Sequence, residues 1–305
     1  MVVVGSSNTD FVIRSQRLPA PGQTVLGGDF AIHPGGKGAN QAVAAARAGG
    51  RVSLVACIGV DPHGDAAFAR LQAEGIHLDH VVRQAGRPSG VALILVDAGG
   101  ENMISVARSS NDELGPGDVA AARRTIRSAG CLVLQLEVPL PAVEAAVRLA
   151  HEEGVRVVLN PAPAPLGGLP PPLLQGLFAL TPNAQEAAEL TGQRAGGGPK
   201  AVERAARRLV AAGVEHVLVT CGAAGVCWAR RGALRWFPAL PVEAVDTVGA
   251  GDCFTGTLAV ALAERQPMDR AIGFALAAAA LCVSRHGAQP AMPRRQEILQ
   301  LPRHD

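Results

Sequence analysis

The stretch Cys131–Asn160, CLVLQLEVPLPAVEAAVRLAHEEGVRVVLN, decides the fold class. It opens on an unbroken apolar run, Cys131–Leu136, and passes through an Ala-rich helical segment, Pro139–Glu153. It closes on a second apolar run, Val155–Leu159. Continuous apolar strands belong to a sheet covered on both faces, and two of them joined by a helix form a βαβ unit with parallel strands. The alternation extends in both directions. Strands are predicted at Val2–Val4, Val52–Ile58, Leu177–Leu180, His216–Thr220 and Gly225–Ala229. Helices are predicted at Gly38–Ala48, Gly64–Glu74, Pro116–Ser128, Ala184–Thr191, Lys200–Ala212, Gly251–Arg265 and Asp269–Ser284. The chain therefore reads as α/β, with a mostly parallel sheet between helical layers.

Two regions interrupt the alternation. Phe11–His33 is polar and punctuated by Gly and Pro. Pro88–Ser110 reads as two strands, Gly90–Val96 and Asn102–Ala107, around the turn Asp97–Glu101. Together they suit a small separate sheet. Pro161–Pro172 and Gly196–Pro199 read as loops, because the βα alternation resumes after each.

Composition removes several function classes. A net charge of +2 supplies no field for nucleic acid or anionic membrane, and with seven Phe, two Trp and no Tyr a base-stacking surface is not expected. Met1–Gly5 has no basic segment ahead of an apolar run, so it does not read as a secretory signal. The longest apolar run, Phe274–Val283, is too short to span a bilayer. Six scattered Cys without a CxxC pair read as buried free thiols in a reducing compartment, hence cytoplasmic. Only Lys37 and Lys200 are lysines; every other basic residue is Arg.

Three segments carry chemistry. Asp246-Thr247-Val248-Gly249-Ala250-Gly251-Asp252 leads into an apolar helix. Gly249, Ala250 and Gly251 let backbone amides converge at a positive helix terminus, which suits phosphate. Asp252 would fall in the first turn, where a carboxylate makes sense as acceptor of a proton from a hydroxyl that attacks that phosphate. A helix cap behind a Gly-rich loop fits the spacing equally well. Pro34-Gly35-Gly36-Lys37-Gly38-Ala39-Asn40 is not a Walker A loop, since Gly follows Lys37. Its glycines allow a ligand close to the backbone, with Asn40 on the following helix; a tight strand–helix turn is the alternative. Gly5–Asp10 follows the first strand, placing Asn8 and Asp10 where α/β sheets bind ligands, unless they only form an Asx turn. Glu137, Asn183, Glu186 and Thr220–Gly225 end other strands, and each taken singly reads as structural. His77 and His80 read as solvated loop histidines rather than metal ligands.

Taken in order, these segments resemble the ribokinase branch of the pfkB carbohydrate kinase family, which also holds fructokinases and adenosine kinases. The resemblance runs from about Val3 to about Pro293. It rests on GGKGAN (Gly35–Asn40), DTVGAGD (Asp246–Asp252), Gln135-Leu136-Glu137, Asn160–Ala164, Thr181-Pro182-Asn183 and Gly287–Pro290. It implies a ribokinase-like three-layer αβα domain (1–10, 34–87 and 111–305) and a β-sheet lid (11–33 and 88–110) that closes over the sugar and makes a homodimer contact. Sugar binding maps onto Asn8, Asp10, Gly36, Lys37, Gly38, Asn40, Glu137 and Asp252. The catalytic base maps onto Asp252, and the anion hole onto Gly249, Ala250 and Gly251.

The same resemblance implies ATP contacts at Asn183, Thr220, Gly222, Gly225 and Gly251. Glu186 matches an Asn-x-x-Glu motif associated with Mg²⁺. A K⁺ ion would be held mostly by backbone carbonyls at Asp246, Val248, Cys282, Arg285 and Gly287. The partners implied are a small sugar, ATP and a second copy of the chain. Alternatives are another sugar or nucleoside kinase of the family, or a non-catalytic sugar-binding regulator. A dinucleotide-dependent dehydrogenase would need GxGxxG after the first strand, which Gly5–Asp10 does not supply. Three positions depart from the family pattern: Leu276 beside the adenine, Ala291 at the cation loop, and Arg108–Asn111 at the return from the lid.

Overall fold

A computed structural model describes residues 1–165 and 167–301. Its strands, in chain order, are β1 (Val2–Val4), β2 (Asn8–Arg14), β3 (Asp29–Gly35), β4 (Ser53–Gly59), β5 (His77–Gln84), β6 (Gly90–Val96) and β7 (Asn102–Ala107). They continue with β8 (Leu132–Leu134), β9 (Val157–Leu159), β10 (Ala179–Leu180), β11 (His216–Thr220), β12 (Val226–Arg230) and β13 (Ala233–Phe237). Helices are α1 (Lys37–Arg47), α2 (Pro62–Ala73), α3 (Pro116–Ala121), α4 (Arg123–Arg127), α5 (Leu140–Glu152), α6 (Pro171–Gln175) and α7 (Ala184–Leu190). The remainder are α8 (Gly198–Ala211), α9 (Ala250–Ala263), α10 (Met268–Val283) and α11 (Arg295–Gln300).

The large sheet has the order β13-β12-β11-β10-β9-β8-β1-β4-β5, parallel from β11 to β5 and antiparallel across β11–β12–β13. Side chains alternate between its faces. Val3, Leu54, Val133 and Val158 pack in one core with α1, α9 and α10, while Val2, Val4, Leu132, Leu134 and Leu159 pack in a second core with α5 and α8. Each fully buried Leu or Val contributes about 1.5–3 kcal/mol. This three-layer arrangement is the α/β fold expected from the apolar runs.

A second sheet, β3-β2-β6-β7, stands apart. Its β2 runs antiparallel to β3 and parallel to β6. Asp10, Val12, Arg14, His33, Ile94 and Val96 face a cavity of about 320 Å³, whose other wall is Asp246, Val248 and Gly287. On β2, β3 and β6 the alternate positions put Ile13, Phe30, Ile32 and Leu93 outward, where all four are exposed.

β1 is the switch point of the large sheet, with β4 on one side and β8 on the other. Open α/β sheets bind ligands outside the carboxyl ends of their strands at such a point. Gly5–Asn8 leaves β1 there, Gln135–Glu137 leaves β8, Asn160 leaves β9, Thr181–Asn183 leaves β10, and Cys221 follows β11. The sequence segments singled out for chemistry therefore share one edge.

Some local expectations change. His77 and His80 lie in β5 rather than a loop, and His80 bonds Thr125 Oγ1 at 2.7 Å. The predicted helix Pro116–Ser128 is two helices, α3 and α4. The predicted strand Leu177–Leu180 shortens to β10. All six Cys are free, five of them buried.

Candidate active site

Asp252 lies in the first turn of α9 and is 6% exposed. Both its carboxylate oxygens accept from amides of α1. Asn40 Nδ2 donates to Oδ2 at 2.9 Å, and Gln41 Nε2 donates to Oδ1 at 2.9 Å. Gly249, which precedes α9, takes φ 76°. A Cβ at Gly249 would stand 2.9 Å from Ala288 Cβ, so both conformation and packing call for glycine. Among the described residues the amides of Gly249, Gly251 and Asp252 have no acceptor, whereas Ala250 N reaches Thr247 O at 3.3 Å. A Cβ at Gly251 would meet nothing within 4 Å, so the space above the turn is open. Unpaired amides at the positive end of a 14-residue helix form an anion site.

The turn after β1 packs directly under α1. Gly36 takes φ 87°, and a Cβ there would lie 2.6 Å from Asn8 N. Gly36 and Gly38 thus allow the close approach of two stretches of chain, as a tight strand–helix turn requires. Gly35 has a different task, because a Cβ there would stand 2.2 Å from both carboxylate oxygens of Asp10. Glu137 accepts from Ser6 Oγ at 2.6 Å and from Lys37 N at 3.0 Å. Asn8 Oδ1 accepts from Asn111 Nδ2 at 2.8 Å, so the segment that returns from the small sheet fixes the orientation of Asn8.

These groups share one electrostatic field. Burial, followed by the charges of Glu137 and Asp252, raises the Asp10 carboxyl to about 7, against a partial opposing pull from Lys37. For Lys37, burial works against the charge. The fields of Asp252, Glu137, Glu186 and Asp10 outweigh it and hold the ammonium above its usual value. Lys37 therefore stays cationic among four carboxylates. The geometry joins a carboxylate held by amides, an anion pocket beside it, and a cavity under the small sheet that Asp10 and His33 line among mainly apolar neighbours. That is the equipment for transferring a phosphoryl group to a hydroxyl.

Comparison with known proteins agrees. The model of the pfkB family of carbohydrate kinases matches residues 1–295. The chain belongs to the pfkB carbohydrate kinase family. It is 41% identical over 304 residues to the ribokinase of Haemophilus influenzae, covering 100% of this chain and 98% of that one. It is 35% identical over 298 residues to the deoxyribokinase of Salmonella typhimurium, covering 98% and 97%. The structure of Arabidopsis thaliana ribokinase complexed with ribose and ATP superposes with a TM-score of 0.89 at 32% identity, covering 98% and 97%.

In this kinase the segments assigned to nucleotide lie along the ends of β10 and β11. Asn183 and Glu186 form a reciprocal cap on α7: Asn183 Oδ1 accepts from Glu186 N at 2.8 Å, and Glu186 Oε2 accepts from Asn183 N at 2.8 Å. Burial raises the Glu186 carboxyl, and among the opposing influences are the Asn183 amide and the Lys37 charge. Asn183, Thr220 and Gly222 line a cavity of about 570 Å³ together with the Gly196–Pro199 loop. Gly225 takes φ 89°, and a Cβ there would lie 2.0 Å from Phe237 O, so chain packing alone requires that glycine. Leu276 packs against the core beside α9.

The cation-loop positions fall on two strands of chain that Asp246 ties together. Its Oδ1 accepts from Val248 N and its Oδ2 from Gly287 N, each at 3.0 Å. Among the described residues the carbonyls of Asp246, Val248, Arg285 and Gly287 accept no hydrogen bond, while Cys282 O already accepts from Arg285 N at 3.2 Å. Unpaired carbonyls on two linked loops fit a large monovalent cation, though Cys282 is the weakest of the five candidates. Ala291 is buried at the end of the short helix that follows.

Sequence reading missed four side chains. Ser6 bonds Glu137, Asn111 bonds Asn8, Gln41 bonds Asp252, and Gln289 Nε2 donates to Asn40 Oδ1 at 3.0 Å. Each is polar and buried. Their partners lie 103 to 249 residues away in the chain.

Proposed function

We propose that the kinase is an ATP-dependent ribokinase that converts D-ribose and ATP to ribose 5-phosphate and ADP. The observation that carries this reading is the amide-held Asp252 beside the open Gly249–Gly251 turn, close enough to Asp10 for its charge to act on that carboxyl. Ribose hydroxyls bind Asn8, Asp10, Asn40 and Glu137, with Gly36, Lys37 and Gly38 forming the wall. This places the primary hydroxyl at Asp252. The hydroxyl oxygen attacks the γ-phosphorus, the bond from that phosphorus to the bridging oxygen of ADP breaks, and the hydroxyl proton passes to Asp252. The amides of Gly249 and Gly251 receive the negative charge of the transferring group. Lys37, cationic and without an ion-pair partner among the described residues, adds positive charge on the sugar side.

ATP extends along Asn183, Thr220, Gly222 and Gly225. Glu186 keeps Oε1 free of hydrogen bonds among the described residues, which suits a Mg²⁺ ion that retains water and phosphate ligands. That ion would screen the phosphate charges. K⁺ would sit against the unpaired carbonyls of the Asp246–Val248 and Arg285–Gly287 loops and stiffen the anion turn beside them. The outward apolar face of the small sheet, with Phe30 60% and Leu93 58% exposed, fits a homodimer contact between lids. A cytoplasmic setting accords with six free thiols.

A coupled ADP-release assay over ribose, deoxyribose, fructose and adenosine tests the assignment. Fast turnover of another acceptor with none of ribose overturns the ribose assignment. Parent-like phosphorylation by Asp252→Asn overturns the base.

A further inference from the structure

We infer that Gln41 is a positioning residue for catalysis, the centre of a buried chain of amides that holds the Asp252 carboxylate in the plane the reaction needs. The inference rests on Asp252 acting as the base. Two amide side chains on α1, Asn40 and Gln41, bond that carboxylate, and three more bond those two: Gln135 after β8, Asn160 after β9, and Gln289 near the C-terminal end. All are buried, and Gln41 and Gln135 are 0% exposed.

The polarity of the chain is fixed by its ends. An ionised carboxylate and a backbone carbonyl can only accept. Gln41 Nε2 donates to Asp252 Oδ1 at 2.9 Å and to Asn160 Oδ1 at 3.1 Å, which uses both its hydrogens. Asn160 Nδ2 must then point away from Gln41, and it donates to Thr181 O at 2.7 Å. Gln41 Oε1 must accept, and it does so from Gln135 Nε2 at 2.6 Å. On the other carboxylate oxygen, Asn40 Nδ2 donates at 2.9 Å while Asn40 Oδ1 accepts from Gln289. No amide in the set can flip without setting two buried donors or two buried acceptors against each other.

Two consequences follow for the base. One donor on each oxygen fixes rotation of the carboxylate and occupies about two of its four lone-pair sites, leaving the others toward the cavity. The amides also hold no titratable proton, so a proton accepted from the sugar has nowhere to move inward and stays on the cavity side. Gln41 is excluded from the sugar by its burial, so its effect passes through Asp252 alone.

The test uses the full chain carrying Gln41→Met, Gln135→Met, Asp252→Asn, and the double variants with Asp252→Asn. Rates are measured with ribose, or with whichever sugar of the panel turns over. Loss of a hydrogen bond to a charged group predicts a kcat for Gln41→Met lower by roughly 10- to 100-fold, with KM for sugar and ATP within about 3-fold of the parent. Gln135→Met, one step removed, should lose roughly 3- to 10-fold in kcat. In the Asp252→Asn background each substitution should change the residual rate by less than about 2-fold, since the group it acts through is gone. Parent-like kcat in Gln41→Met, or an equal fold-loss with and without Asp252→Asn, overturns the inference. If Gln41→Met does not fold, Gln135→Met decides by the same criteria. A fully active Asp252→Asn removes the base and this inference together, whereas an inactive Asp252→Asn beside a parent-like Gln41→Met removes the inference alone.

Discussion

Sugar binding should release a proton near neutral pH, because Asp10 is the group it displaces. In the free kinase, burial together with the charges of Glu137 and Asp252 raises the Asp10 carboxyl to about 7. A carboxylate that receives sugar hydroxyls must be ionised to accept them at full strength. Sugar and proton therefore compete for Asp10. The direction follows from the raised value: protons bind the free pocket more tightly than an ordinary carboxylate would, so affinity for sugar rises as pH increases through 7. The ionised fraction is about nine-tenths at pH 8 and about one-tenth at pH 6, so the apparent KM for ribose should rise about 10-fold between them. The assay is initial ADP release at saturating ATP, from pH 6 to 8 at constant ionic strength. Calorimetry at pH 7 in buffers of different ionisation enthalpy should show about half a proton released per ribose bound. Asp10→Asn should have a higher KM at every pH and lose the slope. A wild-type KM that varies less than about 2-fold across the range, or a slope that survives in Asp10→Asn, refutes the competition.

Three further outcomes are expected. Gly35→Ala drives a methyl into the Asp10 carboxylate, so KM for sugar should rise at least about 10-fold while kcat for bound sugar changes less; an unchanged KM would show that Asp10 relocates without penalty. Lys37→Arg puts a larger, forked cation among Asp252, Glu137, Glu186 and Asp10, and should lower kcat/KM for the sugar; a variant silent in both rates and thermal melting would assign the lone lysine of this segment to chance. Activity should be well above the Na⁺ and cation-free rates in K⁺, and Asp246→Ala, which unties the Val248 and Gly287 amides, should abolish that difference; equal rates in all three buffers would remove the cation site.

What the sequence showed and what it hid follow one physical division. Val157–Leu159 and Cys131–Leu136 were readable as strands because a doubly covered sheet needs apolar side chains on both faces, which is a property of consecutive residues. The Gly249–Asp252 turn was readable because an anion pocket at a helix end is also local. β5 was harder, since His77–Gln84 lies at the sheet edge and mixes half-buried and polar residues. The glycines of GGKGAN illustrate a subtler limit. Their freedom was legible, but which neighbour required it was not: Gly36 answers to Asn8 N and Gly35 to the Asp10 carboxylate, and both approaches exist only after β1, β2 and α1 have come together. Gln41 lay furthest out of reach. In the sequence it is one polar residue on an Ala-rich helix. Its role comes from Asn160, Gln135 and Asp252, which lie 119, 94 and 211 residues away. A buried amide must find a donor and an acceptor or destabilise the core, so a Gln with no exposed surface in an apolar helix signals long-range partners even when it cannot name them. The same rule picks out Asn111 and Gln289, also polar and buried, and in each case the partner is a residue assigned to the sugar. Buried amides, more than the exposed charges, mark where this chain fixes its chemistry.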